Sequence, residues 1–239
     1  MSQTFTPRGY QSPAIRYIMA NDRCNLYADM GMGKGVMTLS ALDNLTMWED
    51  PFPAIVLGPL RVARGVWTGE VDKWSHLKGI KIRAAVGTET ERRAALRSGA
   101  DIITLNYENI PWLIDNVLNK GKAWPFRTVI ADESTRLKGF RLKNGGLRAA
   151  KLARVAHHPN LRRWVNLTGL AAPNGLTDLW GQQWFVDAGK RLGLTYSAFK
   201  ERWFRPHPDG VSEWIPLPFA EAQIHAALAD CTLAIRAAD

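Results

Sequence analysis

The sequence predicts an α/β domain: a mostly parallel sheet with helices on both faces, folded as a single lobe. Three observations lead there. Short, continuous apolar runs alternate with stretches of helical spacing, and a strand buried on both faces reads as such a run. One run, Asn25-Leu-Tyr-Ala28, passes straight into the glycine-rich turn Asp29-Met-Gly-Met-Gly-Lys34 and then into a helical stretch. Another, Val129-Ile-Ala131, is followed at once by Asp132-Glu133. In open sheets of this kind ligands bind beyond the carboxyl ends of the strands, which is where both polar clusters fall.

Taken in order, residues 1–9 read as irregular. Tyr10 to Ala20 reads as a helix with Ile15, Ile18 and Met19 on one face. A helix follows Lys34, and Ala54 to Leu57 is a buried strand ended by Gly58-Pro59. Val62 to Trp74 reads as a helix broken or entered late because of Gly65 and Gly69. Strands are expected at Ile80–Val86, Asp101–Leu105, Arg127–Ala131 and Arg163–Leu167, and helices at Glu89–Ser98, Asn109–Leu118, Leu147–His157 and Thr177–Asp187. Beyond Gly189 the pattern changes. Phe199 to Phe204 and the prolines at 206, 208, 216 and 218 suggest an irregular appendage over about 189–218, before a last helix from Glu221 to Leu228. No internal repeat or low-complexity segment is evident.

A chain of 239 residues with 46% hydrophobic and 22% charged residues can bury a substantial core. The apolar runs fall short of a membrane span, and the first residues lack a signal-peptide stretch. Two cysteines, Cys24 and Cys231, make neither a disulfide framework nor a zinc site, which fits a reducing cytoplasm. The charge balance is basic, 31 Lys+Arg against 22 Asp+Glu. From Arg136 to Arg163 the chain carries nine basic residues and no acid, as large an excess as its net charge of +9. Such a block favours a polyanion through counterion release, although a solvated helix face would carry the same charges.

A glycine-rich turn entering a helix lets backbone N–H groups converge on phosphate oxygens while a lysine neutralises charge. Phosphate transfer also needs a carboxylate for magnesium and a group to orient the attacking water. Lys34, Asp132 and Glu133 could supply these, with Thr168-Gly169 behind a further strand as a third polar cluster. Singly, each is also an ordinary loop or cap. Their common place behind buried strands makes them a candidate site. One residue breaks the pattern: a phosphate loop closes with Lys-Ser or Lys-Thr, whose hydroxyl holds magnesium, and here Gly35 follows Lys34.

Tyr10-Gln11, Ala28 to Lys34, Gly58-Pro-Leu-Arg61, Asn106-Tyr107, Ile130-Ala-Asp-Glu-Ser134 and Leu167-Thr-Gly169 stand in the order of the motifs of the first RecA-like lobe of superfamily-two helicases. The set resembles the Swi/Snf-type branch, and within it the phage-encoded proteins, through Pro59-Leu-Arg-Val-Ala-Arg64, Asn106-Tyr-Glu-Asn109 and Pro173 to Trp180. The resemblance runs from Tyr10 to about Cys231 and implies a RecA-like P-loop lobe over 1–218. Residues 219–239 would begin a connector to a second RecA-like lobe.

It also implies roles. Gln11 would read the adenine of ATP, and Met30, Gly31, Met32, Gly33, Lys34 and Gly35 would wrap the phosphates. Asp132 would hold magnesium and Glu133 would orient the hydrolytic water, with Lys34 as the catalytic cation. Thr168 and Gly169 would couple nucleotide state to DNA. Arg61, Asn106 and Tyr107 would track the backbone of double-stranded DNA, joined by Lys138, Arg141 and Lys143 of the basic block. A phage origin would place the protein in the bacterial host cytoplasm. Two departures point to impaired hydrolysis: Gly35 in place of the family's threonine, and Thr168-Gly-Leu-Ala171 in place of Thr-Gly-Thr-Pro. The resemblance also implies that a second RecA-like lobe, in trans or in a longer protein, would complete the ATP site. The alternative is a non-catalytic DNA-binding or protein-interaction module that keeps the fold.

Overall fold

The computed structural model describes residues 2–117, 123–143, 145–208 and 214–236. Its centre is a sheet of β1 (Arg23–Ala28), β2 (Ala54–Gly58), β3 (Ile82–Ala84), β4 (Ile102–Asn106), β5 (Thr128–Asp132), β6 (Arg163–Thr168) and a late strand, β9 (Thr232–Ile235). The order is β3-β4-β2-β5-β6-β1-β9, and every neighbouring pair is parallel. Every residue of β2, β4 and β6 is buried, as continuous apolar runs require. Ala54 and Val56 join one core while Ile55 and Leu57 join the other. The period of two in a strand thus feeds two separate cores, one on each face.

The first core packs α1 (Gln11–Ala20), α2 (Lys34–Leu45) and α3 (Trp67–Lys73) on the sheet through Ile18, Met37, Leu42 and Trp67. The other face carries α5 (Ile110–Val117), α6 (Leu147–Ala153), α7 (Asp178–Asp187), α8 (Tyr196–Trp203) and α9 (Ala220–Leu228), packed through Trp164, Trp180, Phe185, Phe199 and Trp203. The charged helix α4 (Glu89–Leu96) opens with a reciprocal capping box between Thr88 and Glu91, which satisfies two otherwise orphaned amides.

Several elements depart from expectation. The stretch after Gly58 is helical from Val62, but as a wide π turn (Val62–Val66) that leads into α3. The Thr104 hydroxyl donates to the Ala63 carbonyl inside that turn, and a side chain inserted into the helical ladder widens it. The basic helix from Leu147 stops at Ala153 and runs on as tighter turns, where the Arg23 guanidinium takes the Ala156 carbonyl at 2.6 Å. The strand at 80–86 shrinks to β3. The helix from Asn109 begins as a 3-10 turn and reaches Val117; its expected last residue, Leu118, lies outside the described residues.

The described residues of 189–218 are not an irregular appendage. They hold α8 and a small antiparallel ribbon of β7 (Phe204–Arg205) and β8 (Ile215–Pro216), and their Phe199, Trp203 and Phe204 are buried in the second core. The aromatic residues that look scattered in sequence therefore act as anchors. Residues beyond 219 supply α9 and then β9, whose Asn25↔Thr232 register extends the sheet past β1.

Candidate functional site

The glycine-rich turn follows β1. Gly31 and Gly33 adopt φ of 82° and 81°, a left-handed conformation that side chains rarely take. A Cβ at Gly33 would also meet Gln11 Nε2 at 2.8 Å. Met37 N–H bonds the Gly33 carbonyl at 3.0 Å, so the amides just before it stand at the helix end without an intrahelical acceptor. Gln11 is buried against the turn: it accepts from Arg8 N–H at 2.9 Å and donates to the Met32 carbonyl at 3.2 Å. Met30 is 91% exposed at the turn's lip.

Lys34 Nζ folds back on the carbonyls of Ala28 and Asp29, at 2.5 and 3.1 Å. Burial lowers its pKa, opposed by Asp132, then Asp29 and Glu133. Asp132 ends β5 two strands away, since β6 lies between β5 and β1. Burial raises its carboxyl pKa, opposed by a hydrogen bond from Trp67 and by the Lys34 charge. Trp67 Nε1 donates to Asp132 Oδ2 at 3.0 Å, and the Glu133 amide donates to Oδ1 at 3.1 Å. Glu133 is exposed and left-handed, φ 55° and ψ 55°. A glutamate there stores on the order of 1–3 kcal/mol of backbone strain, a cost typical of functional turns.

At the third loop, Thr168 stands in register with Tyr27, and its hydroxyl bonds only within its own turn, to Leu170 N–H and carbonyl at 3.2 Å. Leu170 is 64% exposed. Over α2, a Cβ at Gly35 would meet Glu70 Cγ at 3.2 Å. The nearest hydroxyl in α2, Thr38, is buried and donates to the Lys34 carbonyl at 2.8 Å, so it is turned into the helix.

The expected DNA-facing residues divide. Arg61 and Lys143 are exposed. Arg141 lies over the Tyr196 ring at 3.4 Å and bonds the carbonyls of Lys138 and Phe140. Tyr107 is 2% exposed and its hydroxyl donates to the Asp132 carbonyl at 2.9 Å. Asn106 bonds Glu108 and Asn109. Tyr107 therefore braces the acid turn, Asn106 closes its own turn, and both are buried.

The basic block is not one open face. Lys138 pairs with Asp178, Arg148 with Glu108, Lys151 with Asp115, Arg162 with Glu49, and the buried Arg163 with Glu49 and Asp22. The acids come from outside the block, which is why its sequence reads as uncompensated.

Three contributors were missed from sequence. Trp67 orients Asp132 from another element. Gln182 spans two loops of the site. Gly181 lets α7 approach so closely that a Cβ would stand 2.5 Å from the Lys138 carbonyl. No local pattern marks these, because each partner lies tens of residues away.

One ammonium, one partly buried acid and the open end of α2 thus converge beyond the strand ends. That combination suits a phosphate group with a divalent cation. Among the described residues no group of three or more His, Cys, Asp and Glu side chains forms a protein-only metal cage. A cation here would lean on phosphate oxygens and water in addition to Asp132.

Similarity to known proteins covers most of the chain. The SNF2-related domain profile matches residues 10–208. Protein p41 of Acyrthosiphon pisum secondary endosymbiont phage 1 is 50% identical over 242 residues, covering 99% of this chain and 52% of its own length. Helicase swr1 of Aspergillus fumigatus is 26% identical over 84% of this chain and 12% of its own. The Sulfolobus solfataricus SWI2/SNF2 ATPase core in complex with dsDNA superposes with a TM-score of 0.72 at 22% identity, over 99% of this chain and 46% of that one. The chain therefore spans about half the length of the phage relative and shares the RecA-like lobe fold of the archaeal core.

Proposed function

The chain belongs to the SNF2-related domain family, and on that premise we propose that it is the ATP-binding lobe of a helicase-like, DNA-dependent ATPase. The observation that supports this is the placement of Lys34, at the open end of α2 directly after the β1 turn, and of Asp132, at the end of β5, beyond the carboxyl ends of strands in one parallel sheet. In this reading Met30 to Gly35 wrap the triphosphate, Lys34 turns from its two carbonyls onto phosphate oxygens, and Gln11 stands at the base. Asp132 holds magnesium, which would supply charge neutralisation at the phosphates. Glu133, exposed beside it, orients water.

Duplex DNA is the proposed partner, as in the archaeal core named above, contacted through Arg61, Arg141, Lys143 and Lys138. A second RecA-like lobe would close the ATP site. The phage relative favours the bacterial host cytoplasm, and no described helix is long and apolar enough to cross a membrane.

Hydrolysis by this chain is proposed to be impaired. Gly35 offers no hydroxyl, and Glu70 occupies the space above it. The same observation, with Leu170 and Ala171, favours as a second reading a non-catalytic DNA-binding or interaction module. Titration with a fluorescent ATP analogue, with and without magnesium, followed by phosphate release on duplex DNA, separates the two. Binding with slow release that duplex DNA stimulates supports the first reading, binding with no release on duplex DNA supports the second, and absence of nucleotide binding overturns the first.

A further inference from the structure

Thr168 spends its hydroxyl inside its own turn, so the link from the acid turn to the 168–172 loop must use other atoms. The two loops are joined by a buried side chain on α7. Gln182 is fully buried. Its Oε1 accepts from Ser134 Oγ at 2.8 Å, directly after Asp132-Glu133. Its Nε2 donates to the Ala171 carbonyl at 2.6 Å and to the Asp178 carbonyl at 3.1 Å. One amide thus holds both loops, and both its amide protons are used.

The helix that carries it is braced. Asp178 Oδ2 accepts from Lys138 Nζ at 3.1 Å and from Asn174 N–H at 2.9 Å, and Gly181 seats α7 against the carbonyls of Leu137 and Lys138. Asn166 Nδ2 bonds the Gln182 carbonyl at 3.2 Å, which ties α7 to β6. A glutamate at 182 could not donate to the Ala171 carbonyl. A methionine would fill the volume and make neither bond.

We propose that Gln182 is a positioning residue that transmits occupancy of the nucleotide site from the Asp132–Ser134 turn to the loop at Leu170–Ala171. This rests on the nucleotide-binding reading given above. It assigns the coupling to a side chain on α7 instead of to Thr168.

The test uses the whole chain with ADP–magnesium and a short duplex as probes. In the unmodified chain, nucleotide should slow amide hydrogen exchange at residues 169–172 and raise duplex affinity about fivefold or more. Gln182→Met should bind nucleotide within about twofold of the parent yet lose both responses, the coupling falling to about one. Ser134→Ala, which cuts the same path at its other end with a smaller change, should weaken both responses, and it serves if Gln182→Met does not fold. Retention of the full exchange response in either folded variant overturns the proposal, as does a parent chain that binds both probes without coupling them. A parent chain that binds no nucleotide fails the underlying reading first, and this inference falls with it.

Discussion

Trp67 and Asp132, 65 residues apart in sequence, meet through a 3.0 Å hydrogen bond from the indole N–H to Oδ2. An aromatic side chain of α3 thereby fixes the rotamer of the acid that faces Lys34. It also supplies the largest of the contacts that offset the burial raising that acid's pKa. The bond sets what each change in this neighbourhood should do.

Lys34→Ala should weaken binding of an ATP analogue by about tenfold or more, since a charge-assisted contact contributes about 1.5–3 kcal/mol. Its effect on fold stability is read separately from the thermal midpoint of the variant. Fluorescence titration of the two chains measures this. Equal affinities would remove the phosphate-turn assignment.

Asp132→Asn should raise the thermal midpoint of the unliganded chain at neutral pH. A carboxyl whose folded pKa is raised holds its proton longer in the folded state than in the unfolded one. Its contribution to stability is therefore complete below the ordinary carboxylate range and is lost as pH rises through the raised value. The midpoint difference between variant and parent should open across that window and close in acid. A difference independent of pH from strongly acid to neutral solution would contradict the burial described for Asp132.

Gly35→Thr should restore magnesium-dependent tightening of nucleotide binding, by about tenfold, through the missing hydroxyl. A residue better than glycine in a helix gains a few tenths of a kcal/mol, while the new Cβ crowds Glu70 Cγ at 3.2 Å. These opposing effects leave the thermal midpoint nearly unchanged. Adding Glu70→Ala should release the crowding. Isothermal titration with and without magnesium is the measurement, and no gain in either variant would mean that Gly35 is not what limits the metal.

Duplex affinity should fall steeply with salt, and the ion pairs sort which basic residues matter. Lys143→Ala should reduce the slope of log K against log salt by about 0.9, the value for one phosphate contact. Lys151→Ala should leave the slope nearly unchanged, because its ammonium is held by Asp115 at 2.5 Å. Binding isotherms across a salt series distinguish them. Equal effects from the two would mean that the pairing opens on DNA.

Gly181→Ala should lower the thermal midpoint by about 6–12 °C, from a cost of about 3 kcal/mol. The added Cβ would stand 2.5 and 2.7 Å from the carbonyls of Lys138 and Leu137, where main chain cannot move aside cheaply. Calorimetry of the variant checks it, and a midpoint within a degree of the parent would show that α7 can shift.

Legibility in the sequence follows the range of the interaction. The turn from Asp29 to Lys34 is readable because glycines, lysine and the flanking strand and helix are contiguous. The acid pair at 132–133 is readable because it follows its strand directly. The turns after α6 are not, since the carbonyl of Ala156 there is taken by Arg23, 133 residues away. Nor is the helix and ribbon at 196–216, whose aromatic residues acquire direction only when α7 and α9 are present to receive them. The basic block misleads for the same reason: its counterions lie on other elements.

Alternation of apolar runs with helical periods dictates a parallel sheet covered on both faces, because backbone and side-chain periodicity are local properties of the chain. The order of the polar motifs, read the same way, puts a glycine-rich turn and an acid pair beyond the carboxyl ends of their strands. Tertiary structure alone decides that Trp67 holds Asp132, that Glu70 stands over Gly35, and that Gln182 joins two loops. Each of these is a contact between elements distant in sequence, and its geometry exists only once packing has set the distance and angle between them.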